Sequence, residues 1–197
     1  MKTKREQRHL RLVEAALRVF ARSGFDGASV SEIANEAGIA KGSVYLYFDS
    51  KEALAGEVVR SIFADPHDLE RYTGHDDPLE AVVEFCVDQQ ERVRNLGQHG
   101  SIVLHMWGAM GRSGDDLIGR MTRQVMAETR YFLSTLLNRV PGLDSGESLE
   151  SRKVHADALL AIVLGLISQM LSHREAGSGL EQRVSAVVRA YLRGIMS

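Results

Sequence analysis

One cysteine, Cys86, stands in a chain of 197 residues. An intrachain disulfide and a cysteine-ligated zinc cluster are therefore excluded, and a reducing cytoplasm is the natural setting. Prolines number three and aromatic residues make up 6%. Alternating apolar and polar runs of strand type are scarce, so the first expectation is an all-α fold. No apolar segment follows the basic N-terminus, which argues against a secretory signal. The most apolar run, Leu159 to Ile167, falls well short of the ~20 residues that span a bilayer, and no membrane association is expected.

What is present is a sizeable apolar fraction, 44%. That is enough to bury one helical core, or a small and a larger one. The net charge of -2 is uninformative, but its distribution is not. Residues 1 to 22 carry Lys2, Lys4, Arg5, Arg8, Arg11, Arg18 and Arg22 against Glu6 and Glu14, a local balance of +5 on an otherwise acidic body. A basic arm of this kind marks a phosphate-facing end.

The most informative stretch runs from Ser29 to Lys51. Ser29 and Glu32 have the spacing of a capping box, so a helix starts near Val30. Val30, Ile33, Ala34 and Ala37 then form one short apolar stripe. Gly38 ends it in a left-handed turn, and a second segment, about Lys41 to Phe48, crosses the first as in a helix-turn-helix. In that segment Val44 and Phe48 point inward, whereas Lys41, Gly42, Ser43, Tyr45, Leu46 and Tyr47 lie outward. A cation, two phenols and small residues suit a nucleic-acid backbone better than bulk solvent.

These residues also carry a resemblance. Ser29-Val30-x-x-Ile33-Ala34-x-x-Ala37-Gly38-Ile39, then Lys41-Gly42-Ser43-Val44-Tyr45-x-Tyr47-Phe48, then Lys51-Glu52-x-Leu54, resembles the DNA-binding signature of the tetracycline-repressor (TetR) family over about twenty-five positions. The resemblance implies an N-terminal three-helix DNA-binding domain (1–50), a connecting helix (51–64) and a C-terminal helical ligand-binding and dimerisation domain (65–197). It further implies a DNA-binding set of Ser29, Ser31, Lys41, Gly42, Ser43, Tyr45, Leu46, Tyr47 and Lys51. Lys41, Tyr45, Tyr47 and Lys51 would hold backbone, and Ser31, Gly42, Ser43 and Leu46 would face bases. Two positions depart from the family pattern. Ala40 replaces a Ser or Thr cap, and Leu46 offers only apolar contact where polar or ring residues are common.

The rest of the chain reads as helices. Residues 5 to 23 present Leu10, Val13, Leu17 and Phe20 on one face, with Gly24 closing the helix. Asp49-Ser50 caps a fourth helix that reaches about Ala64. Residues 65 to 78 read as a loop with one helical turn. There His67 and His75 sit among Asp68, Asp76 and Asp77, a spacing that matches no strong ligand pattern, so neither metal nor cofactor is expected. Further helices cover about 79–95, 99–110, 115–138, 148–173 and 179–196.

In the middle helices Phe85, Cys86, Gln89, His105, Met106, Trp107, Met110, Met121, Val125 and Phe132 each read singly as core. Together, in a chain resembling ligand-gated repressors, they read as the lining of a cavity for a small apolar effector. The last two helices carry surplus apolar residues: Leu159, Ile162, Val163, Leu166, Met170, Val184, Val187, Val188, Tyr191 and Ile195. Between Leu159 and Ile167 the helix is apolar all round and so should be buried on more than one face. A symmetric partner is implied, giving a homodimer on a double-stranded DNA operator. Two rival readings are a helical protein-binding scaffold and a small-molecule enzyme. The first leaves Lys41, Tyr45 and Tyr47 unexplained, and the second finds no base to pair with Cys86.

Overall fold

A computed structural model describes residues 3–63, 69–111, 116–143, 149–173 and 179–196. Among the described residues all regular structure is helical. The helices are α1 (Lys4–Gly27), α2 (Val30–Ala37), α3 (Lys41–Val44), α4 (Lys51–Phe63), α5 (Leu69–Thr73), α6 (Pro78–Asn95), α7 (Ser101–Met110), α8 (Leu117–Leu137), α9 (Leu149–His173) and α10 (Leu180–Ile195). The all-α expectation therefore holds. His67 and Asp68 lie outside the described residues, as does Lys2 of the basic arm.

Local signals account for most helix ends. Thr3 and Glu6 close a capping box at α1, each satisfying the other's backbone N–H. Asp77 accepts from the backbone of Leu79 and Glu80 at the start of α6, with Pro78 in the first turn where its missing N–H costs nothing. The Gly24 backbone departs from helical geometry, at φ 68° and ψ 173°. Helical geometry therefore breaks at Gly24 as expected, and one further turn, residues 25–27, follows across the kink.

By packing, the chain divides into two compact units, Met1–Ile62 with Gly97–Gln124, and Phe63–Leu96 with Val125–Ser197. In the first unit, Leu12, Ala16 and Val19 of α1, Ile33 and Ala34 of α2, and Leu54 and Val58 of α4 are all buried. Helices α1 and α2 pack together, and α7 also reaches α1. Gly119 permits α8 to approach α7 closely. A Cβ at that position would sit 2.4 Å from the Ala109 carbonyl oxygen, closer than any real Cβ contact.

The second unit is built on α6, α9 and α10, which pack against one another. Phe85, Cys86, Leu133, Leu136, Leu159, Val163, Val184 and Val188 fill its interior. Phe85 sits 5.3 Å from Tyr72 and 5.3 Å from Phe132 between ring centroids, an aromatic cluster of ordinary core type. Arg189 of α10 pairs with Glu80 of α6, and this pairing holds the Glu80 carboxyl below its usual pKa.

Helix α9 corrects one expectation. Within α9 the segment Arg152–Ser172 contains an 18-residue window of mean hydropathy 1.8, long and apolar enough by composition alone to cross a bilayer. Only 33% of that window is buried within the chain, rather than several faces at once. Val154, Ala158, Ile162 and Leu166 recur every fourth residue along the part left half-buried or open.

Candidate nucleic-acid interface

The interface is assembled from three short pieces of the first unit. Helix α2 is secured at both ends. Ser29 Oγ accepts from the Glu32 amide at 3.2 Å, while the Glu32 carboxylate accepts from the Ser29 amide at 2.8 Å. The Ser29 side chain and then its backbone amide lower the Glu32 pKa, since both bonds require the charged carboxylate. At the other end Gly38 takes the left-handed conformation, φ 69° and ψ 35°. The Gly38 and Ile39 amides close the last turn on Asn35 and Ala34.

Helix α3 is a different object. Its cap, Ala40, makes no side-chain hydrogen bond, and only Lys41–Val44 are α-helical. The stretch expected to remain helical to Phe48 instead tightens into turns, with the Leu46 amide on Ser43 O (3.3 Å) and the Tyr47 amide on Val44 O (2.9 Å). Two buried anchors hold the segment, Val44 at 2% exposure and Phe48 at 7%. Burial of side chains of this size contributes roughly 1.5–3 kcal/mol each. Phe48 also packs on the His9 ring of α1 at 4.8 Å.

Everything between the anchors is turned outward. Lys41 and Gly42 are exposed, Ser43 and Tyr47 are half-buried, Tyr45 is 49% exposed and Leu46 is 73% exposed. Ser29 is exposed and Ser31 half-buried on the neighbouring helix.

Three cations are placed differently from what charge counting implies. The Arg18 guanidinium donates to Glu36 of α2 at 2.8 Å, with Arg22 at 3.7 Å from the same carboxylate. The Arg18 bond keeps the Glu36 pKa below its ordinary value. These two arginines tie α1 to α2, which leaves Lys4, Arg5, Arg8 and Arg11, all exposed, as the cations of the expected phosphate-facing arm among the described residues. The Lys51 ammonium donates to the backbone oxygens of Phe25 (2.9 Å) and Ala28 (3.1 Å) and lies 4.3 Å over the Phe25 ring. It clasps the loop that leads into Ser29. Periodicity reports which residues are exposed, not which partners they choose, and none of these pairings has a local sequence signal.

A profile of bacterial regulatory proteins of the tetR family matches residues 12–58, the span that holds α2, α3 and the contacts of Arg18, Arg22 and Lys51. Over that span the chain is similar to the tetR family. Its similarity to curated members is concentrated there. It is 33% identical over 82 residues to the uncharacterized HTH-type transcriptional regulator YvdT of Bacillus subtilis, a match covering 40% of this chain and 41% of that protein. Among solved structures, NalD, the secondary repressor of the MexAB-OprM multidrug efflux pump in Pseudomonas aeruginosa, superimposes with a TM-score of 0.68 at 19% identity, covering 98% of this chain and 97% of that one. FadR from Bacillus subtilis, solved in complex with stearoyl-CoA, gives 0.64 at 18% identity over 95% and 97%. At such identities the likeness is one of fold.

The ten residues read as an effector cavity divide between the units. Phe85, Cys86, Gln89, Val125 and Phe132 lie in the second, where all but the half-buried Phe132 are buried. His105, Met106, Trp107, Met110 and Met121 lie in the first, and of these His105 and Met106 line a hollow of about 600 Å³. Of the residues read as a dimer face, Leu159, Val163, Met170, Val184 and Val188 are buried in the unit's own core. Ile162, Leu166, Tyr191 and Ile195 are half-buried, and Val187 is 38% exposed. Val154, at 63% exposure, is an open apolar position that the sequence reading passed over.

Proposed function

We propose that this protein is a cytoplasmic, ligand-responsive transcriptional regulator. As a homodimer it represses from a duplex operator and is released by a small, largely apolar effector. The observation that carries the reading is the outward surface of Lys41, Tyr45, Leu46 and Tyr47, mounted on a helix that two buried anchors hold to a capped neighbour. Helix α3 enters the major groove, Lys41 and the tyrosines meet phosphates, and Gly42, Ser43 and Leu46 face base edges. Ser29 and Ser31 reach the same groove from α2. Lys51 supports this surface from behind rather than touching phosphate.

Dimer formation is supported by the stripe of Val154, Ala158, Ile162 and Leu166 on α9 together with Val187 on α10. Two copies of those helices supply a four-helix contact. The same stripe makes a partner helix a better account of the apolar character of α9 than a bilayer. A repressor and an acyl-CoA complex share this fold, which supports release by an apolar ligand.

An enzyme reading loses its one thiol. Cys86 is buried and its pKa is pushed up to about 12 by desolvation, so the nucleophilic thiolate is absent at neutral pH. A scaffold reading is separable by experiment. Tyr45→Ala, at an exposed site, is expected to weaken binding to the operator at least tenfold, about 1.4 kcal/mol, with dimer mass and melting temperature unchanged. The affinity of the unaltered protein is expected to fall steeply with salt as phosphate counterions are released. Binding that ignores both salt and Tyr45 would point to the scaffold.

A further inference from the structure

The residues expected to face bases differ in what they can report. Ser31 and Ser43 are half-buried, and Gly42 has no side chain, with nothing within 4 Å of where its Cβ would stand. Leu46 is 73% exposed, the most open large apolar side chain among the described residues of the first unit. A single exposed leucine is ordinary on a protein surface, but this one has a defined place. The buried anchors Val44 and Phe48 lie two residues before and two after it, and its amide is held on the Ser43 oxygen at 3.3 Å. Its side chain therefore stands away from the core at the middle of the outward surface.

Hydrogen-bonding and apolar side chains read different parts of a base pair. In the major groove every pair shows donors and acceptors, and the C5 methyl of thymine is the one apolar group. A serine hydroxyl both donates and accepts, so it satisfies more than one edge and discriminates weakly. Lys41, Tyr45 and Tyr47 bring donors that phosphate oxygens accept whatever the sequence. Leucine can do neither. A purine N7 or a base carbonyl set against Leu46 would lose its water with no replacement bond, whereas a thymine methyl gains by leaving water. Leu46 is thus the member of this set with one preferred partner.

We infer that Leu46 is the main specificity-determining residue of the recognition segment, and that it acts by packing on the C5 methyl of a thymine at one fixed position of each half-site. The inference rests on the proposed function and goes beyond it by naming the base.

The test starts from duplexes that the full chain enriches from a random library, with affinities read by fluorescence anisotropy. Every enriched half-site is expected to share a thymine. Replacing it by deoxyuridine removes only the methyl, and should weaken binding about fourfold in one half-site and roughly tenfold or more in both, the scale of one buried methyl group per copy. Changing any other thymine in this way should have a smaller effect. At the shared position 5-methyldeoxycytidine should bind about fourfold better than deoxycytidine, because the methyl is what is read. In Leu46→Ala, at a site too exposed to disturb the fold, thymine and deoxyuridine duplexes are expected to bind alike. A methyl effect that persists in that variant comes from the duplex itself and overturns the inference. Equal binding of thymine and deoxyuridine duplexes by the unaltered protein at every position overturns it too, while leaving the regulator reading in place. Enrichment of no duplex at all removes both, so the two failures are told apart by whether any duplex is bound.

Discussion

Helices α2 and α3 are neighbours in sequence, separated only by Gly38, Ile39 and Ala40, and they are secured by opposite means. Helix α2 closes its own ends, with a reciprocal cap at Ser29 and a left-handed glycine at its terminus, and is tied to α1 through Glu36. Helix α3 has no side-chain cap, one helical turn and then a run of tighter turns. It relies on Val44 and Phe48, that is, on what lies beneath it. The difference teaches that the surface offered to a ligand need not be stable by itself. Its exposed groups are kept free because the rigid partner does the holding, and a preorganised but lightly capped element can still adjust on contact.

This contrast can be broken most severely at the shared hinge. Gly38→Ala forces a side chain into the left-handed region, at roughly 1–2 kcal/mol. It should lower the thermal stability of the protein and nearly abolish operator binding, as read by melting curves and by anisotropy. A neutral result would mean that the two helices are positioned from elsewhere.

Next in size are the caps themselves. Ser29→Ala should cost about 1 kcal/mol in chemical unfolding, since both bonds of the Ser29 hydroxyl to Glu32 are lost while the Ser29 amide keeps its own, whereas Ala40→Ser supplies a missing acceptor and should stabilise by up to about 1 kcal/mol. If Ala40→Ser also tightens operator binding, then the looseness of α3 costs affinity. If binding weakens instead, that looseness is needed.

Acid gives the gentlest test. Glu32 and Glu36 both have folded-state pKa values below the ordinary 4.5, because Ser29 and Arg18 respectively favour their charged forms. Their contribution is complete above the unfolded value near 4.5 and fades as pH falls through the lower folded values. Lys41–Val44 contains no carboxylate to titrate. Hydrogen exchange between neutral pH and pH 4 should therefore show α2 amides losing protection first, with those of α3 following only as α2 opens.

How much of this was legible beforehand follows the range of the interaction. The Ser29 cap, Gly38, the Pro78 start of α6 and the number of long helices are local events, written within four residues of where they act. The segment from Tyr45 to Phe48 reads as helical because its apolar spacing is helical, but spacing does not distinguish an α-turn from a tighter one when both bury the same two anchors. Arg18 with Glu36, Lys51 with Phe25, and Glu80 with Arg189 join residues 18, 26 and 109 positions apart, and composition counts such charges as free. The face of α9 was misjudged for a related reason. Hydropathy measures how much a helix avoids water, not whether its own chain or another molecule provides the shelter.

The lone thiol offers something a different placement would not. Cys86 lies wholly inside α6 and its neighbours, with no second thiol to confuse the signal. An alkylating reagent can reach it only during excursions that unpack the second unit, so the native sequence comes with its own stopwatch for breathing. Adding effector or operator and timing the label would show which of them quiets the remote half of the molecule.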